Sequence, residues 1–217
     1  MGEKKSSLLF NVIAPVYGLF YKAQKRRYAE IIENMKAEMD ISSFDTIIDV
    51  GCGTGALCAV LKEKGMTVTG IDPAIKMLKV AMSKPENKGI TFLQANALEG
   101  LPFEDNNFDV AVSSYVAHGL QEEDRKKLYA EMSRITRNYV IFHDYNEKRS
   151  IVTSIIEWLE GGDYFHFIKQ AKTEMKDCET EMKACFSEVR VMKVDVKANW
   201  YICKPLNSRT KSEKGQA

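Results

Sequence analysis

Asp49-Val50-Gly51-Cys52-Gly53-Thr54-Gly55 is the stretch from which the rest of the chain can be read. It follows a β-rich run, Thr46 to Val50, and precedes a helical pattern, Ala56 to Lys64, that stops at Gly65. Glycines at alternate positions permit a tight turn and let a ligand approach the backbone closely. The start of the following helix offers N–H groups and a partial positive charge to a carboxylate or phosphate. Asp72 ends the next β-rich run, Thr67 to Ile71, and lies 21 residues after Gly51. At that place a carboxylate accepts hydrogen bonds from ribose hydroxyls. Strand, glycine loop, helix and downstream acid together predict the cradle of a nucleoside cofactor.

Outward from the loop, β-rich and helical patterns alternate, which predicts an α/β domain with a mostly parallel sheet. A second helix starts after Pro73 and reaches Ser83, and a third strand covers Ile90 to Gln94. Strand four covers Phe108 to Ser113 and strand five Tyr139 to His143. The helix between them, Glu122 to Thr136, carries acids at its start and Arg134 and Arg137 at its end, as its dipole favours. Residues 149–184 read as a helical insertion, broken near Gly161 and Gly162. Two last strands follow, Val189 to Val194 and Trp200 to Lys204. The link from Asp195 to Asn199 is too short for a parallel crossover, so this pair is expected to be antiparallel. Before the loop, two helices are expected, a short one over residues 6–14 and a longer one from Tyr21 to Met39.

Composition narrows the function. With 217 residues the chain can bury one sizeable core, and its 28% charged residues sum to a net charge of only +1. That balance does not point to nucleic acid as a partner of the whole chain. The five cysteines, Cys52, Cys58, Cys178, Cys185 and Cys203, are odd in number and form no Cys-x-x-Cys pair. They read as reduced thiols of a cytoplasmic protein rather than a zinc or disulfide framework. No apolar run is long enough for a membrane span, and the Leu8–Tyr21 run, broken by Asn11, Pro15 and Gly18, lacks a small-residue cleavage site. Residues 206–217 are polar and read as a frayed tail.

The loop satisfies the looser dinucleotide pattern through Gly51, Gly53 and Ala56, so a nicotinamide cofactor has to be weighed. Against it stand the third glycine, Gly55, in tighter spacing, and Asp49, which would repel a diphosphate but suits an ammonium group. Asp49 to Gly55 resembles the first motif of class I S-adenosylmethionine-dependent methyltransferases, and Asp72 resembles their ribose-binding acid. The resemblance covers roughly residues 44 to 145. It takes in Asn96 and Ala97, where the family recognises adenine through a side chain, more commonly Asp, and a backbone N–H. It also takes in Leu101-Pro102-Phe103 and Phe108-Asp109-Val110 before and on strand four. What it implies is a Rossmann-like, seven-stranded, mostly parallel sheet with an antiparallel last strand and helices on both faces. The methyltransferase domain would span 44–205 behind an N-terminal helical lid, 1–43. The cofactor would be S-adenosyl-L-methionine, held by Asp49, Gly51, Cys52, Gly53, Gly55, Asp72, Asn96, Ala97 and Ser113.

Ligands of open α/β sheets bind beyond the carboxyl ends of the strands. Strand four ends at Ser113, Ser114, Tyr115 and His118, and strand five at His143, Asp144 and Tyr145. Tyr115, His118 and His143 are the catalytic candidates, the histidines because imidazole titrates near neutral pH. Each histidine also has a plain reading, His118 as a loop cap and His143 as a sheet-edge hydrogen-bonder. His118, His143, His166 and Asp144 lack short ligand spacing, so no metal is expected.

The segment Phe10 to Tyr17 resembles the opening of the ubiquinone/menaquinone C-methyltransferase group. That implies a lid in which Tyr17 meets the cofactor; the family's Asp after this Tyr is Gly18 here. An apolar stripe of Phe10, Ile13, Tyr17 and Phe20 packing on the sheet edge is the alternative. Trp158, Tyr164, Phe165 and Phe167 could line an acceptor pocket or form the core of a helical cap. Lys22, Lys25, Arg26 and Arg27 read as a solvated helix face, or a weak site for RNA or an anionic membrane. The expectation is a metal-independent methyltransferase, monomeric or homodimeric, acting on a small-molecule acceptor. The rivals are a nucleotide-dependent oxidoreductase and a non-catalytic cofactor-binding subunit.

Overall fold

The computed structural model describes residues 2–146, 180–196 and 198–206. Helix α1 runs unbroken over Gly2–Met35, with Pro15 inside it. Then come β1 (Thr46–Val50), α2 (Ala56–Glu63), β2 (Thr67–Asp72), α3 (Ile75–Ser83), β3 (Thr91–Gln94) and β4 (Phe108–Ser114). Helix α4 (Glu122–Ile135) passes directly into β5 (Thr136–Tyr145), and β6 (Phe186–Lys193) and β7 (Ala198–Pro205) close the order. Residues 180–185 are helical, but the rest of the expected insertion, with Trp158, Tyr164, Phe165, His166, Phe167 and Cys178, lies outside the described residues. So does the expected tail beyond Leu206.

The two expected N-terminal helices are one. Proline in a helix removes one hydrogen bond and crowds the carbonyl four residues earlier, which is why the sequence suggests a break. Here Pro15 lies on the exposed side, where water can serve that carbonyl. The opposite side keeps the helix together by packing: Ala14 and Tyr21 are buried, the former against Met77 of α3 and Ala74 just before it, the latter against Ala56 and Ala59 of α2. Tertiary contact therefore outweighs the local penalty.

The strands pair in the order β3-β2-β1-β4-β5-β7-β6. Pairs β1–β2, β1–β4, β2–β3 and β4–β5 are parallel, whereas β7 is antiparallel to both β5 and β6. The last strand is thus the one reversed strand, and it enters between β5 and β6. Consecutive strand residues face opposite ways, and here both faces are covered. Ile47, Val110, Val112, Ile141 and Ile202 pack with Leu57 and Leu61 of α2 and Ile31 and Ile32 of α1. Their neighbours Ile48, Ala111, Val140, Phe142 and Cys203 pack with Leu128, Tyr129 and Met132 of α4. This double burial produces the continuous apolar runs seen in the sequence. It also holds the strand ends, which carry the site, on a rigid platform.

Candidate cofactor and acceptor site

The glycine loop is hung from β2. The N–H groups of Gly51 and Cys52 both donate to the Ile71 carbonyl, at 2.8 and 2.9 Å. Gly51 has φ +77°, and a Cβ there would lie 2.5 Å from Cγ2 of Val116, so a side chain is excluded twice. At the crest, by contrast, a Cβ on Gly53 would meet nothing within 4 Å, so the loop opens there onto space a ligand can fill. Gly55 precedes α2 without a side-chain cap, which leaves that helix's first N–H groups to a ligand.

Asp72 locks this cradle. One carboxylate oxygen accepts from the Gly53 N–H at 2.9 Å and the other from the Ala74 N–H at 2.8 Å. Burial pushes its pKa up to about 6, against the pull of those two N–H groups. Each oxygen keeps a further lone pair, as ribose hydroxyls require. Asp49 is buried more completely. Its Oδ2 accepts from the Cys58 thiol at 3.2 Å, while its Oδ1 has no hydrogen-bond partner among the described residues. Burial raises its pKa to about 7, with the Cys58 hydrogen bond opposing and the Asp72 charge adding to the rise. A buried carboxylate oxygen without a partner is unfavourable by several kcal/mol in general, and a cation is its natural complement.

The other expected cofactor residues are placed less simply. Asn96 Oδ1 accepts from the Leu98 N–H at 3.1 Å, so the amide oxygen expected for adenine already closes a turn. Ala97 is buried against Val50, Ile71 and Leu101. Ser113 Oγ donates to the Val50 carbonyl at 2.9 Å and ties β4 to the loop's approach. The Cys52 thiol points toward Gly70 of β2, and burial lifts its pKa to about 11. Only the backbone of Cys52 is therefore suited to a ligand. Tyr17 is half-buried with Ala14, Ala74 and Met77, edge-on to Phe10. It combines the packing role with a position beside the Asp72–Ala74 turn.

Beyond β4 the chain is strained. Tyr115 has φ +57°, rare for a residue with a bulky side chain, and its N–H donates to the His143 carbonyl at 2.8 Å. Its ring lies 4.8 Å from His143 and 4.9 Å from Tyr145. The turn Ala117–Gly119 then carries His118 back to β5. His118 Nδ1 lies 2.9 Å from Asp144 Oδ1, and its backbone N–H donates to Oδ2 at 3.2 Å. Burial alone would raise Asp144, but the His118 ring and the N–H groups of Tyr145 and His118 hold it below the ordinary carboxylate range. A carboxylate on Nδ1 sets the tautomer and puts the basic lone pair on Nε2.

His143 is different. It precedes Asp144 on the strand and so projects to the other face. It is buried edge-on to Tyr28 of α1, 5.8 Å between ring centres, and its Nε2 has no hydrogen-bond partner among the described residues. Burial drives its pKa down to about 4, so it is neutral at physiological pH. The two histidines do not converge, and among the described residues no cluster of three metal-ligating side chains forms.

Sequence reasoning missed three supports. Asn87 accepts from the Tyr21 hydroxyl at 3.1 Å and donates to the carbonyls of Thr54 and Ala81, tying α1 and α3 to the loop. Val116 seals Gly51. Arg125 grips Glu181 through two hydrogen bonds, at 2.8 and 2.7 Å, both residues buried. None had a local signal, because Asn87 and Tyr21, Val116 and Gly51, and Arg125 and Glu181 lie far apart in sequence.

A sheet of this order, with a glycine loop after its first strand, is the Rossmann-like fold seen in S-adenosylmethionine-dependent methyltransferases. Residues 48–142 match the profile of the family described as "Methyltransferase domain". An uncharacterised protein of Methanocaldococcus jannaschii is 33% identical over 121 residues, 56% of this chain and 44% of its own length. The chloroplastic 2-phytyl-1,4-beta-naphthoquinone methyltransferase of Arabidopsis thaliana is 31% identical over 166 residues, 70% of this chain and 62% of its own. The chain therefore spans roughly half of these curated relatives. A protein from Methanococcus maripaludis described as an S-adenosyl-L-methionine-dependent methyltransferase shares the fold. Its TM-score is 0.68 at 20% identity, over 89% of this chain and 92% of that one.

Proposed function

We propose that this protein transfers a methyl group from S-adenosyl-L-methionine to a small-molecule acceptor, without a metal. One observation carries the reading: the Asp72 carboxylate bridges Gly53 and Ala74 beside a buried Asp49 oxygen that lacks a partner. In this reading Asp49 faces the amino-acid ammonium, directly or through water, and Asp72 receives the ribose hydroxyls. The backbone of Gly51, Cys52, Gly53 and Gly55 lines the amino-acid end. Asn96, Ala97 and Ser113 border the adenine and the cradle floor. The bound cofactor supplies an electrophilic methyl group on a sulfonium. What remains for the protein is to align the acceptor in line with that methyl group and to exclude water.

His118, oriented by Asp144, removes the acceptor's proton where the acceptor arrives protonated. Tyr115 borders the acceptor, and neutral His143 stands behind it as a wall and a hydrogen-bonding group. Residues 1–43 act as the lid, with α1 seated on α3 through Tyr17 and through Asn11, whose Oδ1 accepts from the Lys76 N–H at 2.8 Å. The quinone-type name of the Arabidopsis relative supports a small-molecule acceptor. The free thiols of Cys52, Cys58 and Cys203 suit a reducing cytoplasm.

Calorimetric titration with S-adenosylmethionine, S-adenosylhomocysteine and NADH tests the reading. Saturable binding of the two sulfur nucleosides, and none of NADH, is expected. Binding of NADH alone would replace the proposal with the oxidoreductase.

A further inference from the structure

Helix α1 turns an apolar stripe to solvent. Val12, Val16, Leu19 and Phe20 are 67%, 52%, 82% and 51% exposed. At 3.6 residues per turn they fall within about 100° of the helix circumference. They lie opposite Ala14, Gly18 and Tyr21, which face α3 and α2. Exposed apolar side chains are ordinary when scattered, but four on one helix face form a patch that calls for a partner.

Alongside the stripe the charges that α1 itself carries are of one sign, up to Glu30 beyond its end. From Phe10 to Ala29 the helix has no acid and carries Lys22, Lys25, Arg26 and Arg27. Lys25 and Arg27 are turned to Glu63 and Asp195, while Lys22 and Arg26 are exposed at the stripe's C-terminal end. At the other end Asn11 binds the Lys76 backbone, so exposed Lys76 starts α3 beside the stripe's N-terminal end and exposed Lys79 follows nearly one turn along α3. Helix α3 also lacks acids, and it exposes Ile75 and Met82. This cationic face belongs to a chain whose net charge is only +1, so the asymmetry is local. No described helix is long and apolar enough to cross a membrane.

We infer that the outer face of α1, with the adjoining end of α3, docks on an anionic phospholipid surface. The stripe enters the headgroup–acyl boundary, and Lys22, Arg26, Lys76 and Lys79 meet lipid phosphates. Nucleic acid would meet the same cations but leave Val12, Val16 and Leu19 without a function, since aliphatic side chains neither stack well on bases nor hydrogen-bond to them. Docking places the lid, and with it the mouth beside Asp72, against the lipid.

The test is sedimentation of the full chain with unilamellar vesicles of phosphatidylcholine, with and without phosphatidylglycerol. Binding to the anionic vesicles that weakens with salt is expected. Val16→Glu with Leu19→Glu should weaken it at least tenfold. Lys22→Ala with Arg26→Ala should weaken it about 25-fold, roughly fivefold per cation. All four side chains are exposed and lie outside the cofactor cradle, so thermal unfolding and S-adenosylhomocysteine affinity should stay unchanged. No binding to anionic vesicles, or equal binding with and without phosphatidylglycerol, overturns the inference. So does RNA binding that the lysine and arginine changes abolish and the glutamate changes leave intact, in place of vesicle binding. A dimer in sedimentation equilibrium that Leu19→Glu dissociates, without vesicle binding, would make the face a contact between copies instead.

Discussion

Replacing Asp49 by Asn should make the cofactor-free protein more stable at alkaline pH and at the same time a poorer cofactor binder. The carboxyl is 1% exposed, and its pKa rises from an ordinary 3.8 to about 7. The folded state therefore holds a proton that the unfolded chain has released between those two values. Stability contributed by this group is complete below about pH 4 and is lost as pH rises through 7. Each pH unit between those values corresponds to about 1.4 kcal/mol and the slope fades above 7, so from pH 5 to 8 the loss is about 3 kcal/mol. Asparagine has the same shape, and its oxygen can still accept from Cys58, but it never ionises. Its stability should stay flatter between pH 5 and 8 by that amount, roughly 6–12 °C in melting temperature for a chain of this size. Circular dichroism melts at pH 5, 6, 7 and 8 read this directly. Calorimetry of the same variant should show S-adenosylhomocysteine binding weakened about tenfold or more, as a lost charge-assisted contact implies. In the wild type at pH 6.5 the bound ammonium favours ionised Asp49, so binding should release a proton, seen as buffer-dependent heat. Parallel melting curves for the two proteins would refute the buried-charge argument. Undiminished affinity would remove Asp49 from the cofactor.

Other perturbations separate the parts of the site. Asp72→Ala strips partners from the Gly53 and Ala74 N–H groups, and calorimetry should show cofactor affinity falling by roughly 1–3 kcal/mol. His118→Ala should leave that affinity nearly intact and slow turnover about 10²–10⁴-fold with a protonated acceptor. Asp144→Asn should shift the acidic limb of the pH–rate profile, since the carboxylate on Nδ1 is replaced by a neutral amide. Glu181→Ala leaves the Arg125 guanidinium buried without its carboxylate and should destabilise the fold by about 3–5 kcal/mol in denaturant melts. An apolar replacement of both partners should recover much of that loss.

Much of the fold was legible because its signals are local. The glycine loop, the helix after it and Asp72 lie within some two dozen residues, and steric and hydrogen-bonding rules act over that range. Double burial of the sheet left Ile47-Ile48, Val110-Ala111-Val112 and Ile141-Phe142 as continuous apolar runs, which read as strands without naming their neighbours. Helix α1 was misread at Pro15, because the packing of Ala14, Tyr17 and Tyr21 that sustains it comes from distant helices. At the candidate site, the placement of Asp49 and Asp72 on β1 and β2 beside the glycine loop was legible. The His118–Asp144 pair was not, since 26 residues separate its members. Nor could the sequence show that Asn96 spends its amide oxygen on a turn.

The amino-acid sequence by itself determined the glycine loop between β1 and α2, the parallel α/β alternation and the antiparallel hairpin of β6 and β7. Chain geometry over a few residues leaves little alternative there: a short link cannot cross over, and a left-handed turn selects glycine. Only the tertiary structure decided that β7 slips between β5 and β6, and that consecutive residues His143 and Asp144 serve opposite faces. It alone seated His118 on Asp144 and left a buried Asp49 oxygen without a partner. These outcomes depend on which surfaces exclude water from one another, and that is settled by the whole chain at once.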